Sequence, residues 1–129
     1  MFDALRDEGA WSDTAVIFSS DHGEEFGEHG RFFHRNYPYD ELIHVPLMVK
    51  TPESTPAGVG ERRVLLDLAP TIRSLHGIGT DEGDFHGRPL FGGDERTVLS
   101  LGQPIGCASA VAVRTGRWKY VHAADTRPL

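Results

Sequence analysis

The chain has 129 residues, of which 39% are hydrophobic and 25% are charged, so its composition is that of a folded globular protein. Its 19 acidic and 13 basic side chains give a net charge of -6, which argues against general affinity for nucleic acid or for an anionic membrane surface. The sequence contains no apolar stretch of the roughly 20 residues that a membrane-spanning helix needs. A cytoplasmic location is the default expectation, although a chain without its natural N-terminal portion would also lack an export signal.

Local signals at the start of the chain predict a helix and then a buried strand. Phe2 to Glu8, followed by Gly9, is typical of a short helix that ends at a glycine. The strand predicted at Thr14 to Ser20 contains the consecutive apolar residues Val16-Ile17-Phe18. Because these residues do not alternate with polar ones, we expect the strand to be covered on both faces, as central strands of parallel sheets are.

Carboxylates, imidazoles and glycines crowd the segment that follows this strand. The segment reads Ser20-Asp21-His22-Gly23-Glu24-Glu25-Phe26-Gly27-Glu28-His29-Gly30. Carboxylate and imidazole groups are ligands for divalent cations, and glycines let the backbone turn closely around an ion. Ligands in open α/β sheets gather beyond the carboxyl ends of strands, where Asp21 and His22 lie. The segment therefore predicts a metal site, and the alternative is a solvated acidic loop.

The middle of the chain predicts a second strand, a loop and a second helix. The strand is predicted at Pro46 to Lys50, and the Pro- and Gly-rich residues 51 to 61 are expected to form a surface loop. A helix is predicted from Leu68 to Leu75, with Asp67 as its cap and Gly77 at its end. Its apolar stripe is expected to pack against a sheet and consists of Leu68, Ile72 and Leu75.

The last part of the chain predicts a glycine-rich loop and then a small β section. The loop covers residues 77 to 93, and its acidic side chains are expected to be solvated: Asp81, Glu82 and Asp84. Strands are predicted at Thr97 to Ser100, Ala110 to Arg114 and Trp118 to His122. A short glycine turn, Thr115-Gly116-Arg117, joins the last two as an antiparallel hairpin.

Several segments of the chain follow the order and spacing of one known family. They are Ser20-Asp21-His22-Gly23-Glu24, Phe26-Gly27-Glu28-His29-Gly30, Tyr39-Asp40-Glu41, His44-Val45-Pro46-Leu47-Met48-Val49, Leu66-Asp67-Leu68-Ala69-Pro70-Thr71-Ile72, Phe85-His86-Gly87-Arg88-Pro89-Leu90 and Ala112-Val113-Arg114-Thr115-Gly116-Arg117-Trp118-Lys119-Tyr120. These segments resemble the sulfatase branch of the alkaline-phosphatase-like metallohydrolases. The resemblance implies an α/β fold that is part of an alkaline-phosphatase-like sandwich, a mainly parallel sheet flanked by helices, with a small C-terminal antiparallel β section. It implies one partial domain over 1–129, with an α/β part at 1–93, its metal loop at 21–34, and a β section at 94–129.

Two parts of the family pattern do not occur in this sequence. Sulfatases carry an early strand with acidic metal ligands and a Cys/Ser-x-Pro-x-Arg motif whose first residue is oxidised to formylglycine. The single cysteine, Cys107, lacks the proline and the arginine, and is predicted to be a small buried apolar residue. The resemblance therefore implies the C-terminal part of a longer enzyme, with Met1 about where the family's last third starts, and a missing N-terminal portion or a partner chain.

The resemblance assigns roles to three residues. Asp21 and His22 match the metal-binding Asp-His pair, which holds Ca²⁺ or Mg²⁺ in typical sulfatases and Mn²⁺ or Zn²⁺ in phosphatase-like relatives. His34 stands where many sulfatases carry a lysine that contacts the transferred group, and is predicted to be catalytic. It could donate to an ester oxygen, protonate the leaving group or add a metal ligand. The alternative is an imidazole stacked on a nearby ring, which would be Phe32, Phe33 or Tyr37.

The neighbouring polar residues carry weaker expectations. Glu24 is predicted to orient His22, whereas Glu25 and Glu28 are expected to be solvated. His29 is not assigned as a ligand, because its spacing from His22 does not fit a helical zinc motif. The remaining histidines are predicted to be structural or exposed, and they are His44, His76, His86 and His122.

The implied function is that of the C-terminal part of a metal-dependent hydrolase of sulfate esters, either small-molecule or carbohydrate. Such a part would contribute metal ligands without the nucleophile. The histidine at position 34 leaves open a phosphatase-like or phosphodiesterase-like hydrolase of phosphate esters. A third alternative is a non-catalytic remnant that binds a metal.

Overall fold

The computed structural model describes residues 2–30, 32–34, 36–53, 55–79, 83, 85–103 and 107–125, without the side chains at 107, 108, 124 and 125. The helices are α1 (Phe2–Asp7), α2 (Asp40–Ile43) and α3 (Leu68–Leu75), and a 3-10 turn at Leu65–Asp67 precedes α3. The strands are β1 (Val16–Ser19), β2 (Glu25–Phe26), β3 (Phe32–Phe33), β4 (Leu47–Lys50), β5 (Val98–Gly102), β6 (Cys107–Thr115) and β7 (Trp118–Asp125). None of the helices in the described part of the chain has the length and apolar composition that crossing a bilayer requires.

The chain divides into two compact units. The first unit consists of Met1–Arg35 and Tyr39–Gly58, and the second consists of Asn36–Pro38 and Val59–Leu129. The first unit contains α1, α2 and the strand pairs β1-β4 and β2-β3, whereas the second contains α3 and the sheet β5-β6-β7. The expected mixture of helices and strands is therefore confirmed.

The pairing of β1 differs from the expectation. β1 pairs with β4, as predicted from the two apolar runs, but the pairing is antiparallel, and so is every other strand pair among the described residues. Phe18 and Met48 lie directly opposite each other and are 52% and 59% exposed. Burial of β1 on both faces is therefore not observed. The consecutive apolar residues of β1 indicate a neighbouring surface that the described residues do not supply.

The second unit contains the small antiparallel β section that the sequence predicts. β5, β6 and β7 form one sheet in chain order, and Gly116, with φ of 49°, lies in the turn between β6 and β7. Ala110 and Ala112 of β6 are buried. The expectations for the side chain of Cys107, and for Asp81, Glu82 and Asp84, lie outside the described residues.

Helix α3 has the predicted bounds, and its end follows from Gly77. This glycine has φ of 66°, and the following residue, Ile78, donates its backbone N–H to the carbonyl oxygen of Arg73 over 3.0 Å. Gly77 itself donates to the carbonyl oxygen of Ser74 over 3.0 Å. These two bonds are the pair that ends a helix at a left-handed glycine.

The predicted capping role of Asp67 is wrong. The 3-10 turn places this residue in a helical conformation, with φ of -78° and ψ of -14°, so its side chain does not cap α3. The fully buried carboxylate instead accepts the backbone N–H groups of Val64 and Arg88, over 3.1 and 3.0 Å, and pairs with the guanidinium of Arg96. Burial raises the pKa of Asp67, but these three partners lower it by more, so the net pKa lies below its ordinary value.

The apolar stripe of α3 is more exposed than predicted. Ile72 and Leu75 are 48% and 37% exposed, whereas the fully buried residues of this helix are Pro70 and Thr71. The hydroxyl of Thr71 accepts the backbone N–H of Leu90 over 2.8 Å. The helix is therefore buried around Pro70 and Thr71, and the expected packing of its apolar stripe against a sheet is not observed among the described residues.

Candidate functional site

The loop after β1 lies close to α2 because residue 23 is glycine. The backbone N–H of Gly23 donates to the carbonyl oxygen of Leu42 over 2.8 Å, and a Cβ at position 23 would overlap the carbonyl oxygen of Glu41. The hydroxyl of Ser20 donates to the carbonyl oxygen of His22 over 2.6 Å and closes the loop on its other side. These contacts fix the backbone from which the predicted ligands extend.

Asp21 and His22 form a pair whose donor atoms suit a divalent ion. The backbone N–H of His22 donates to Oδ1 of Asp21 over 3.0 Å and holds the pKa of this 88% exposed carboxyl below its ordinary value. Nδ1 of His22 lies 2.7 Å from the carbonyl oxygen of Gly23. Because a carbonyl can only accept, this contact requires a proton on Nδ1 and leaves Nε2 of the neutral ring as an acceptor.

The distance between the two available ligand atoms is also compatible with binding to one ion. Oδ2 of Asp21 and Nε2 of His22 are 3.9 Å apart. Two ligand atoms that each lie about 2.1 Å from the same ion are separated by about 3.0 to 4.2 Å, from right-angled to opposite positions. The residues present therefore fit a divalent metal ion in both chemistry and separation.

His34 lies beside this pair. Its ring centroid is 4.5 Å from that of His22, and the two ring planes are inclined by 30°. The ring of His22 therefore lies against that of His34. All three residues named from the sequence, Asp21, His22 and His34, lie close together in the segment that follows β1.

The prediction that Glu24 orients His22 is wrong. Nδ1 of His22 is already bonded to the Gly23 carbonyl, and the Glu24 carboxylate lies 3.3 Å from Nδ1 of His34. Since a carboxylate accepts, Glu24 holds a proton on Nδ1 of His34 and leaves Nε2 of that ring for other partners. Glu24 therefore orients His34 rather than His22.

The expectation that Glu25 is solvated is also wrong. Glu25 is 1% exposed, whereas Phe26, the next residue of β2, is 74% exposed. This short strand therefore has its carboxylate on the inside and its aromatic ring on the outside, the reverse of the usual alternation. Glu28 is exposed, as expected, and it accepts the backbone N–H of Phe26 over 2.6 Å, which lowers the pKa of Glu28.

His29 and Glu41 form a hydrogen bond that the sequence did not indicate. Nδ1 of His29 lies 2.6 Å from Oε1 of Glu41, and the ring of His29 stacks on Tyr39 with a centroid separation of 3.9 Å. Glu41 lies in the first turn of α2. The other histidines predicted to be structural or exposed are exposed, and they are His44, His76, His86 and His122.

Comparison with known proteins relates this arrangement to one family. The model of the Sulfatase family matches residues 1–78. Choline-sulfatase from Rhizobium meliloti (strain 1021) is 33% identical over a segment that covers 96% of this chain, and Arylsulfatase K from Danio rerio is 31% identical over 95% of it. These segments are 26% and 25% of the two relatives, so the chain spans about a quarter of the length of these curated relatives.

A solved structure shares the fold. A phosphonate monoester hydrolase from Silicibacter pomeroyi superposes with a TM-score of 0.80, covering 98% of this chain and 30% of that chain at 24% sequence identity. At that identity the likeness concerns the fold alone. The chain therefore shares the fold of a segment of that longer protein.

Proposed function

Because this chain belongs to the sulfatase family, we propose that it forms part of the metal and ester site of a hydrolase that cleaves sulfate esters, either small-molecule or carbohydrate. The observation that carries the proposal is the grouping of the Asp21 carboxylate, Nε2 of His22 and the ring of His34 after β1. The nucleophile would come from outside these residues, from a longer chain or a partner chain, since no Cys/Ser-x-Pro-x-Arg motif occurs in the sequence.

Asp21 and His22 would hold the divalent ion. The carboxylate offsets part of the ion's charge, and the imidazole nitrogen widens the choice from Ca²⁺ or Mg²⁺ to Mn²⁺ or Zn²⁺. When bound, such an ion would polarise a sulfuryl oxygen and favour the ionised form of the nucleophile. In the neutral ring of His22, the carbonyl of Gly23 selects the tautomer with its proton on Nδ1 and leaves Nε2 as the atom that can bind the ion, which supports this assignment.

His34 would act on the ester itself. Its Nδ1 is held by Glu24, so Nε2 is the atom that could donate a hydrogen bond to an ester oxygen or a proton to the leaving group. Glu24 would be a positioning residue, because its carboxylate contacts the imidazole of His34 and does not contact the ester. A lysine at position 34 could donate a hydrogen bond, but it has no ring to pack against His22.

We further propose that both units belong to one partial sulfatase-like domain over 1–129, with the α/β part at 1–93 and the β section at 94–129. In the complete fold β1 would lie within a mainly parallel sheet. The exposure of Phe18, Met48 and Ile72 supports this proposal, because apolar side chains on neighbouring strands and on one helix face usually pack against another layer.

A chimera tests the proposal. The matched segment of the Rhizobium meliloti choline-sulfatase would be replaced by this chain, and hydrolysis of choline sulfate and of an aryl sulfate would be measured with Mn²⁺ or Ca²⁺ added. We expect turnover that is lost in Asp21→Ala and kept in Asp13→Ala, which removes an exposed carboxylate outside the site. A folded chimera, verified by circular dichroism, that turns over neither substrate would contradict the proposal and favour the metal-binding remnant. The isolated chain is expected to give no turnover.

Phosphate esters are the second candidate substrates, and the histidine at position 34 favours them. The chimera would be assayed on an aryl sulfate and a bis-aryl phosphate, with His34 and with His34→Lys. If phosphate esters are the substrates, the lysine variant should shift the ratio of the two activities toward the sulfate by about a hundredfold or more, the size of a lost acid–base contribution. An unchanged ratio would remove this candidate.

A further inference from the structure

The buried carboxylate of Glu25, in the first unit, has no hydrogen-bond partner among the described residues. Glu25 is 1% exposed, and neither of its oxygens has a hydrogen-bond partner within the described part of the chain. An ionised carboxylate without hydrogen bonds or a countercharge is strongly disfavoured away from water. A cation is one partner that would satisfy these two oxygens.

Two further ligand-bearing side chains lie next to it. One ligand atom each from Glu25, His29 and Glu41 lies within 4.8 Å of the other two. Glu25 comes from β2, His29 from the turn after it, and Glu41 from the first turn of α2. The His29 ring is stacked on Tyr39, so its plane is fixed. The β2-β3 hairpin and α2 thus bring two carboxylates and one imidazole together.

We propose that Glu25, His29 and Glu41 form a second metal site, distinct from Asp21 and His22, for a divalent ion of borderline hardness such as Zn²⁺ or Mn²⁺. Two carboxylates and one imidazole are a ligand set that such ions accept, whereas Ca²⁺ and Mg²⁺ prefer oxygen alone. Ligand atoms on one ion lie about 3.0 to 4.2 Å apart, so binding an ion requires the two carboxylates to rotate and the 2.6 Å contact between His29 and Glu41 to lengthen. The ion would join the β2-β3 hairpin to α2.

The alternative is a buried Glu25 that binds no ion. The two possibilities differ in their response to metal, because replacing Glu25 weakens ion binding only if its carboxylate is a ligand. They can therefore be separated in the isolated full chain, whether or not the chain takes part in ester hydrolysis.

The test is a titration of the metal-free chain with Zn²⁺ by isothermal calorimetry, together with thermal unfolding in Zn²⁺ and in EDTA. We expect Glu25→Gln to weaken one binding event by about tenfold or more and to reduce the Zn²⁺-dependent rise in Tm, while any binding at Asp21 and His22 remains. Glu28→Gln is the matched control on the same hairpin, because its amide oxygen can still accept from Phe26, and it should behave as the wild type. Equal Zn²⁺ binding and equal Tm shifts in the wild type and Glu25→Gln would overturn the proposal.

Two further variants keep the result interpretable. His29→Gln replaces a half-exposed side chain and should lose the same binding event, which covers the case in which Glu25→Gln does not fold. Asp21→Ala should leave this event intact. Loss of Zn²⁺ binding in Asp21→Ala but not in the other two variants would place all binding at Asp21 and His22, and would overturn the second site without affecting the proposed function.

Discussion

Asp67 combines full burial with a negative charge that three partners satisfy. Its oxygens accept from the backbone of Val64 and of Arg88, and its charge is paired with Arg96. Removing one member of a buried ion pair leaves the other uncompensated. This single side chain therefore connects the start of α3 with two other segments of the second unit.

The first prediction concerns replacement of this charge. Asp67→Asn should lower the free energy of unfolding by about 3 kcal/mol, because Arg96 loses its countercharge while the amide keeps only part of the hydrogen bonding. Urea unfolding followed by circular dichroism measures the change. Asp94→Asn, at an exposed position in the same unit, is the control and should be close to neutral. A loss of similar size in both variants would show that the buried pair is not the cause.

The second prediction follows from the lowered pKa of Asp67. The pKa of an unfolded aspartate is about 3.9, and the folded value lies below its ordinary range. A lowered folded pKa gives stability that is fully present above about pH 4 and is lost as the pH falls through the folded pKa. The difference in unfolding free energy between the wild type and Asp67→Asn should therefore be constant near neutral pH and shrink below about pH 4. A difference that persists unchanged at about pH 2.5, well below the unfolded pKa, would contradict this assignment.

The residue types in the sequence indicated which side chains lie together at the candidate site, but they did not indicate which side chains are buried. Asp21, His22 and His34 could be named from their chemistry and from the resemblance, and they lie close together. The burial of Glu25 could not be predicted, because β2 has two residues and places its phenylalanine outward. Periodicity needs more residues than that to indicate a face.

At the scale of elements, glycines decide where the backbone can approach its neighbours. Gly23→Ala should destabilise the first unit by about 1 to 3 kcal/mol, since the new methyl group would displace the loop from α2. The same variant should weaken metal binding at Asp21, because the ligand loop moves. Gly58→Ala, where nothing lies within 4 Å, is the matched control in the same unit. Chemical denaturation and Mn²⁺ titration of the three proteins test this, and equal values for Gly23→Ala and Gly58→Ala would refute it.

The end of α3 gives a second comparison between two glycines. Gly77 has φ of 66°, while Gly79 does not have a left-handed φ, and at neither position would an added methyl group meet an atom within 4 Å. Gly77→Ala should therefore cost about 1 kcal/mol through backbone strain alone, and Gly79→Ala should not. Thermal unfolding of both variants measures the difference, and a larger loss in Gly79→Ala would contradict the strain argument.

In helix α3, the local sequence determines where the helix begins and ends, but it does not determine which surface covers the helix. Pro70 near the start and Gly77 after the end define its bounds, because their backbone preferences act within one turn. The neighbours of its apolar stripe are not a local property. Ile72 and Leu75 indicate that some surface covers them, but their spacing does not say which part of a chain provides it.

At the scale of the whole molecule, the exposed apolar side chains have a measurable effect. Phe18 and Met48 are direct cross-strand neighbours and form a continuous apolar patch. Such patches promote association. The isolated chain should therefore self-associate with rising concentration in sedimentation velocity experiments, and the double variant Phe18→Thr, Met48→Thr should reduce this. Val59→Thr, at an exposed loop position, is the control. A wild type that stays monomeric at high concentration would contradict the prediction.

The assignment of Asn36–Pro38 to the second unit determines how the protein can be dissected. These three residues interrupt the first unit, which resumes at Tyr39, and a side chain at Gly102 of β5 would collide with the carbonyl oxygen of Asn36. A shortened gene ending at codon 58 would therefore remove the strand against which this tripeptide rests. Neither half can be produced as an uninterrupted piece, so mapping of ion binding must rely on point variants of the intact polypeptide.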